Sequence, residues 1–127
     1  MANLDDIAVS VIAEFAADMG LGEIVNVGGA FSFDFERTGR LSILADDTGS
    51  RILVSLTRGV MLTDLVGYGR LLGCAGYHPT HEVLIRAGVT PSGQPVLATA
   101  GPRIGFDRLR LEREFTILRE AFDGAGL

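Results

Sequence analysis

The sequence predicts an α+β fold in which an antiparallel sheet packs with helices. Three patterns support this prediction: an apolar-faced helix near the start, short alternating segments joined by Gly-containing turns, and an amphipathic helix near the end. The predicted order of elements is α-β-β-β-α-β-β-α over 127 residues. Because no linker, repeat or low-complexity tract interrupts this order, we expect one domain over residues 1–127.

The first predicted helix begins at Asn3, which can cap it, and ends at Gly20 and Gly22. Its apolar residues recur at spacings of three and four: Leu4, Ile7, Ala8, Val11, Phe15 and Met19. Three further residues widen this apolar face beyond what one packing contact needs: Val9, Ile12 and Ala16. We therefore expect these three to lie at the rim of the helix, available to a partner chain.

Residues 23–30 are expected to form a connector or a weak edge strand. Phe31, Phe33 and Phe35 alternate with polar residues, which is typical of a strand whose aromatic side chains face inward. Gly-containing turns lead to strands 40–45 and 51–56, giving a three-stranded meander. These two strands offer more apolar side chains than one sheet face can bury, so we expect four of them to be exposed: Leu41, Ile43, Ile52 and Val54.

A middle helix is predicted from Asp64 to about residue 75, before the break at His78-Pro79. Glycines interrupt it, and each interior glycine costs about 1 kcal/mol relative to alanine, so packing must hold this helix. Gly69 and Gly73 are four residues apart and would let another backbone approach one helix face. We predict a homodimer interface on this helix and the adjacent strands, with these residues on the helix: Leu65, Tyr68, Gly69, Leu72 and Gly73.

A second hairpin follows, with strands at 83–87 and 96–100 around Pro91-Ser92-Gly93. Asp107 is expected to cap the last helix. Its apolar stripe is formed by Leu111, Phe115, Leu118 and Phe122. We expect its charged residues to form the solvated face: Arg108, Arg110, Glu112, Arg113, Glu114 and Glu120.

Composition excludes several classes of function. The net charge of -5 and pI near 4.9 argue against nucleic acid binding, which needs a basic face. No apolar run approaches the ~20 residues that span a bilayer, the first residues are acidic, and Cys74 is the only cysteine. These features predict a cytoplasmic protein without a membrane partner. The hydrophobic fraction of 47% is high for a small domain and indicates an apolar surface that a partner covers.

Neither catalytic nor cofactor-binding residues are predicted. The segment Gly67-x-Gly69-x-x-x-Gly73 lacks the βαβ context of a dinucleotide loop, and no nucleophile elbow is present. Asp46-Asp47 is best explained as a solvated turn. Cys74, His78 and His81, with Glu82 beside them, could supply zinc ligands, but their spacing matches no strong metal signature. We expect a buried cysteine and two surface histidines there, and a metal- or ligand-binding enzyme stays the alternative.

Three segments resemble the class I type III secretion chaperones, the Tir-chaperone family. Residues 33–43, Phe-Asp-Phe-Glu-Arg-Thr-Gly-Arg-Leu-Ser-Ile, are similar to the first hairpin of that family. Leu71-Leu72 resembles its middle helix, and residues 88–97 resemble its second hairpin. The chain departs from the family where Gly73-Cys74-Ala75-Gly76 follows the Leu-Leu pair, since members often have an asparagine there, and at Ala87-Gly88-Val89 before the second hairpin.

The resemblance implies a non-enzymatic homodimer in a bacterial cytoplasm that binds the N-terminal region of a secreted effector in extended form and keeps it soluble and competent for secretion. The surplus apolar residues would then contact the effector: Val9, Ile12, Ala16, Leu41, Ile43, Ile52 and Val54. A small cytoplasmic regulator or complex subunit of the same fold is the alternative, because a fold does not fix a function.

Overall fold

The computed structural model describes residues 4–21, 25–27 and 29–127. Its elements in chain order are α1 (Asp6–Asp18), β1 (Val25–Val27), β2 (Ala30–Phe35), β3 (Gly39–Ala45), β4 (Arg51–Thr57), α2 (Leu65–Cys74), β5 (Gly76–His78), β6 (Val83–Val89), β7 (Pro95–Pro102) and α3 (Arg108–Ala125). The predicted order is confirmed. Residues 23–30, expected to be a connector or a weak edge strand, contain the edge strand β1, and the structure adds a second three-residue strand, β5, at the other edge of the sheet.

The seven strands form one antiparallel sheet in the order β1-β2-β3-β4-β7-β6-β5. The meander β2-β3-β4 and the hairpin β6-β7 are as predicted, and β7 joins the two by pairing with β4. The register places Leu41, Leu56 and Leu97 opposite one another on neighbouring strands. Gly39 begins β3 at a φ of 114°, where an added Cβ would lie 2.1 Å from the Thr57 carbonyl oxygen, so the turn requires glycine.

All three helices lie on one side of the sheet. α3 contacts β4, β7 and both other helices, while α2 contacts β6 beyond it. Aromatic rings join the layers, with Phe15 of α1 centred 6.1 Å from Phe33 and 5.9 Å from Phe115. The phenylalanines of β2 face inward as predicted. The outcome is a two-layer arrangement whose core lies between the helices and one face of the sheet.

The helix caps position this layer. Asp5 caps α1, since its carboxylate accepts from the Ala8 backbone N–H at 2.8 Å, and the predicted cap Asn3 lies outside the described residues. Asp64 and Asp107 cap α2 and α3 through the same type of bond, as the sequence indicated.

One polar pair on α3 departs from the expectation of a fully solvated charged face. The side chains of Arg110 and Glu114 are only 12% and 4% exposed, and the guanidinium donates to the carboxylate at 3.2 Å. Arg110 also lies over the ring of Phe106 and donates to the Pro102 carbonyl oxygen. The Arg110 guanidinium fits in this position because Gly101 has no side chain. A Cβ at Gly101 would lie 2.3 Å from a guanidinium nitrogen of Arg110.

Candidate partner-binding surfaces

Most of the residues predicted to contact an effector lie in the core. Five are fully buried, Ala16 is 3% exposed, and only Val9 is half-buried, so the prediction that this set is exposed is wrong. The five fully buried residues are Ile12, Leu41, Ile43, Ile52 and Val54. The physical reason is that α3 packs on β4 and β7, while α1 packs on α3 and on Phe33 of β2, so both helices share one core with the inward face of β3 and β4.

The surplus of apolar side chains on β3 and β4 exists, but it lies on the other face. Leu41, Ile43 and Ala45 face the helices, which turns Leu44 outward because successive strand residues alternate. Leu53 is turned outward in the same way on β4, between buried Ile52 and Val54. The number of apolar residues in these strands shows that some must be exposed. Which ones are exposed depends on which alternate positions of each strand face the helices.

The predicted dimer residues of α2 do share one exposed face, which we call the α2 surface: Leu65, Tyr68, Gly69, Leu72 and Gly73. Leu65 is 89% exposed and Leu72 is 69% exposed. Their spacings of three, four, seven and eight residues place them along one side of the helix. Leu71, on the opposite side, is the buried residue of α2. Val66 and Met61 add exposed apolar area nearby in the chain.

The two glycines of the α2 surface are not required by the described part of the chain. A Cβ added at Gly69 or Gly73 would meet no atom within 4 Å. Gly67 differs, because its added Cβ would lie 3.2 Å from the Asp64 carboxylate and from the Leu62 side chain. Two helix-weakening residues therefore lie where the described structure offers no steric reason for them.

The face of the sheet opposite the helices is uncovered in the described part of the chain, and we call it the open sheet face. Its residues on the paired strands are mostly small or aliphatic and half-buried: Ser32, Ser42, Leu44, Leu53, Ser55, Val96, Ala98 and Ala100. Ser32 and Ser42 are joined by a hydrogen bond of 3.0 Å between their hydroxyls. The sequence analysis missed this face, although the alternation of serine and alanine with larger residues was a usable signal.

Cys74, His78 and His81 do not form a metal site in the structure. No group of three or more potential ligands converges among the described residues. The Cys74 sulfur lies 3.4 and 3.5 Å from the carbonyl oxygens of Arg70 and Ala121, and burial raises the pKa of its thiol. The two imidazole rings contact each other with centroids 5.0 Å apart. A raised pKa favours the protonated thiol, which is a weaker nucleophile than the thiolate.

The total surface is large for the size of the chain. Its accessible area is 7238 Å², against about 6,500 Å² expected from the mass of a folded monomer. No helix among the described residues is long and apolar enough to cross a membrane. Large apolar side chains contribute to this surface, among them Ile7, Leu65, Leu72 and Ile104.

Comparison with solved structures identifies the fold. A chain of the HopA1–SchA chaperone–effector complex superposes with a TM-score of 0.69 at 18% identity, covering 93% of this chain and 91% of that one. The Yersinia pestis structure of the type III secretion chaperone SycH with a stable fragment of YscM2 gives a TM-score of 0.59 at 16% identity, covering 94% and 97%. The chain has a type III secretion chaperone fold.

The sequence itself carries less of this likeness. No family model matches the chain. No curated protein matches it either. The likeness to the solved structures is therefore one of fold, at 16–18% sequence identity.

Proposed function

We propose that this chain is a non-enzymatic type III secretion chaperone of the bacterial cytoplasm. It binds the N-terminal region of a secreted effector in extended form and keeps that region soluble and competent for secretion. The observation that carries the proposal is the likeness, over nearly the whole chain, to structures described as chaperones in complex with an effector or a protein fragment. Exposed apolar surface on an acidic chain supports it, because net charge keeps such a protein soluble between partners.

The functional unit in this proposal is a homodimer formed through the α2 surface. Leu65 and Leu72 are large apolar side chains held out into solvent, and a two-fold contact would bury both copies of each. Gly69 lies between them along the helix and Gly73 directly follows Leu72, both without a steric role in the described chain, and their missing side chains would let two α2 helices approach closely. Tyr68 can then pack against the partner helix with its hydroxyl at the rim.

The effector segment is expected to use surfaces other than the buried set on α1 and the inward sheet face. The short edge strands β1 and β5 can accept an added strand through their unpaired backbone groups. Ile7 and Ile104 are both exposed and line one small cleft at the start of α1, which offers a pocket for apolar side chains. These features allow binding of an extended peptide without any rearrangement of the core.

Co-expression with the product of the adjacent gene tests the proposed function. We expect a stable complex on size-exclusion chromatography with the full product and with its N-terminal segment alone. The matched control is the same product without that segment, which should elute separately. If the full product also fails to bind, the alternative of a regulator or complex subunit with this fold is favoured.

A further inference from the structure

The open sheet face has no role in the dimer proposed above, and its chemistry points to a specific kind of occupant. We propose that it docks an extended segment of the partner protein in which apolar side chains lie between carboxylates. This inference rests on the proposed function, because the partner is the effector of that function. It assigns to the effector a segment composition and a docking face.

The apolar part of this surface is continuous across the sheet. Leu44 pairs with Leu53, and Leu53 pairs with Ala100, so one row of aliphatic side chains crosses three strands. Ser42, Ser55 and Ala98 form the neighbouring row in the same way. Small side chains let a partner backbone come close, and the inner strands already pair their backbone groups with each other. The contact must therefore be made through side chains.

Charge determines which occupant fits. The strand residues of this face carry three arginines, Arg40, Arg51 and Arg86, and one carboxylate, Asp34. Asp34 forms an ion pair with Arg40, whose guanidinium donates two hydrogen bonds to the carboxylate, at 2.8 and 3.1 Å. Three arginines less one aspartate leave +2 on this face, in a chain whose net charge is -5.

This sign disfavours a second copy of the chain as the occupant. Two such faces brought together would place positive charge against positive charge, whereas carboxylates of another protein would be attracted to Arg51 and Arg86. Asp46, in the turn after β3, adds one negative charge next to Arg51, since its carboxylate accepts from the Thr48 hydroxyl and from the Arg51 backbone N–H. With this turn counted, the charge at the face is +2 less 1, or +1, and Arg86 is the arginine farther from Asp46. Desolvation raises the pKa of Asp46, but the hydrogen bonds from its own turn together lower it, so the carboxylate is ionised at neutral pH.

The register gives the spacing of the two arginines. Arg51 lies opposite Pro102 and Arg86 lies opposite Ala98, so they flank β7 at positions four residues apart along it. With a rise of about 3.3 Å per residue and strands about 4.8 Å apart, their backbones are about 16 Å from each other. An extended segment covers that distance in about five residues. The expected ligand therefore has acidic residues near both ends of a short apolar stretch.

A defined peptide tests this surface directly. The probe is a synthetic peptide with leucines at alternate positions and a glutamate at each end, titrated into the isotope-labelled full chain and followed by NMR. We expect saturable shifts at the backbone amides of Leu53, Ala98 and Ala100, weakening with salt. The same peptide with lysines in place of glutamates should bind about tenfold more weakly, since it meets like charge.

Charge reversal of the chain supplies the second arm. The double variant Arg51→Glu/Arg86→Glu should lose about tenfold in affinity for the glutamate peptide and gain affinity for the lysine peptide. Both side chains are exposed, so folding should be unaffected. Arg113→Glu is the matched control, because Arg113 is an exposed arginine of α3 with no ion-pair partner in the described part of the chain.

Several outcomes would overturn the inference. These are equal binding of the two peptides, shifts confined to the helices, no saturation at millimolar peptide, or a change in the oligomeric state of the peptide-free double variant, which would make this face a self-interface. An effector that binds the unmodified chain and the double variant equally would remove the open sheet face as its docking site and leave the chaperone function standing. An adjacent gene product that binds neither would count against the proposed function, while the peptide titration still reports on the face.

Discussion

Helices α1 and α2 are both rich in apolar residues, yet the fold uses them in opposite ways. α1 buries Ala8, Ile12, Phe15 and Ala16 against the sheet and α3, whereas α2 buries only Leu71 and holds Leu65 and Leu72 in solvent. The difference arises from position, because α1 lies over the inward-facing phenylalanines of β2 and α2 lies beyond α3 near the sheet edge. An apolar helix face indicates that other residues pack against it. The position of the helix in the fold decides whether those residues belong to the same chain or to a partner chain.

The largest expected effect comes from placing a charge on the buried side of α1. Ile12→Asp should unfold the chain, since an unpaired carboxylate in a fully buried site costs about 5 kcal/mol or more, comparable with the stability of a small domain. Loss of the helical circular dichroism signal and of the cooperative urea transition would report it.

The matched control is the same substitution at the exposed isoleucine of α1. Ile7 is 72% exposed and lies in the first turn, where the helix dipole favours an acidic residue. Ile7→Asp should therefore leave the urea midpoint nearly unchanged. A folded, stable Ile12→Asp variant would mean that α1 is not held in the core as described.

A charge on α2 should change association and leave folding intact. Leu72→Asp should convert the proposed homodimer to a monomer at micromolar concentration, because loss of a central hot-spot side chain costs about 2 kcal/mol or more and the two-fold contact loses both copies of it. Gly69→Leu should weaken the dimer too, while raising the helix stability of the single chain by about 0.5–1 kcal/mol. Sedimentation velocity measures the first effect and urea unfolding of the monomer measures the second.

Leu109→Asp controls for the chemistry of the Leu72 substitution. Leu109 of α3 is 68% exposed against 69% for Leu72, so the two replacements expose a charge to equal degrees. Sedimentation of Leu109→Asp should match that of the unmodified chain. A monomeric unmodified chain, or equal losses in both variants, would contradict the α2 interface.

The smallest expected effect distinguishes the N-terminal cap of α1, Asp5, from that of α2, Asp64. The Ala8 backbone N–H and then Arg103 lower the pKa of Asp5 below its ordinary 3.8. A carboxyl group whose pKa is lower in the folded chain than in the unfolded chain stabilises the fold at pH values above its ordinary pKa. This stabilisation is lost as the pH falls through the pKa of the folded chain. Asp5→Ala should lower the melting temperature at pH 7, and its difference from the unmodified chain should shrink toward zero in strong acid.

Two companion variants sharpen this comparison. Asp5→Asn keeps a good capping group and loses only the charge, so it should lie between the alanine variant and the unmodified chain. Asp64→Ala should cost less than Asp5→Ala, because Asp64 caps α2 through Gly67 and has no ion-pair partner in the described ranges. Melting curves in which the Asp5 difference persists unchanged at low pH would show that its carboxylate is not the source.

Local patterns were sufficient to predict most of the fold. Alternation located β2, β3, β4, β6 and β7 within a few residues, and helical spacing located all three helices. β5 was not predicted, because Gly76-Tyr77-His78 has no strand signal of its own and exists only by pairing with β6. Its first residue has a φ of 135°, a conformation that glycine permits and that no periodicity reveals.

The candidate surfaces also differ in whether local sequence patterns or contacts between distant residues determine them. The α2 surface could be predicted because helical spacing, exposed leucines and unsupported glycines are all local properties. The contact set on α1, β3 and β4 failed because the amount of cover supplied by α3 depends on contacts between residues far apart in the chain. The open sheet face requires the register of five strands, and register is set by the assembled sheet.

The contact between Gly101 and Arg110 restricts how the sequence of this fold can drift. A methyl group at position 101 would collide with the guanidinium of Arg110. A shorter residue at position 110 would leave the carboxylate of Glu114 buried without its cation. Each step alone disturbs the buried pair of Arg110 and Glu114, so we expect the three positions to change together. Relatives that have lost the glycine should have exchanged the arginine and the glutamate as well, a covariation that can be sought before any overall identity is detectable.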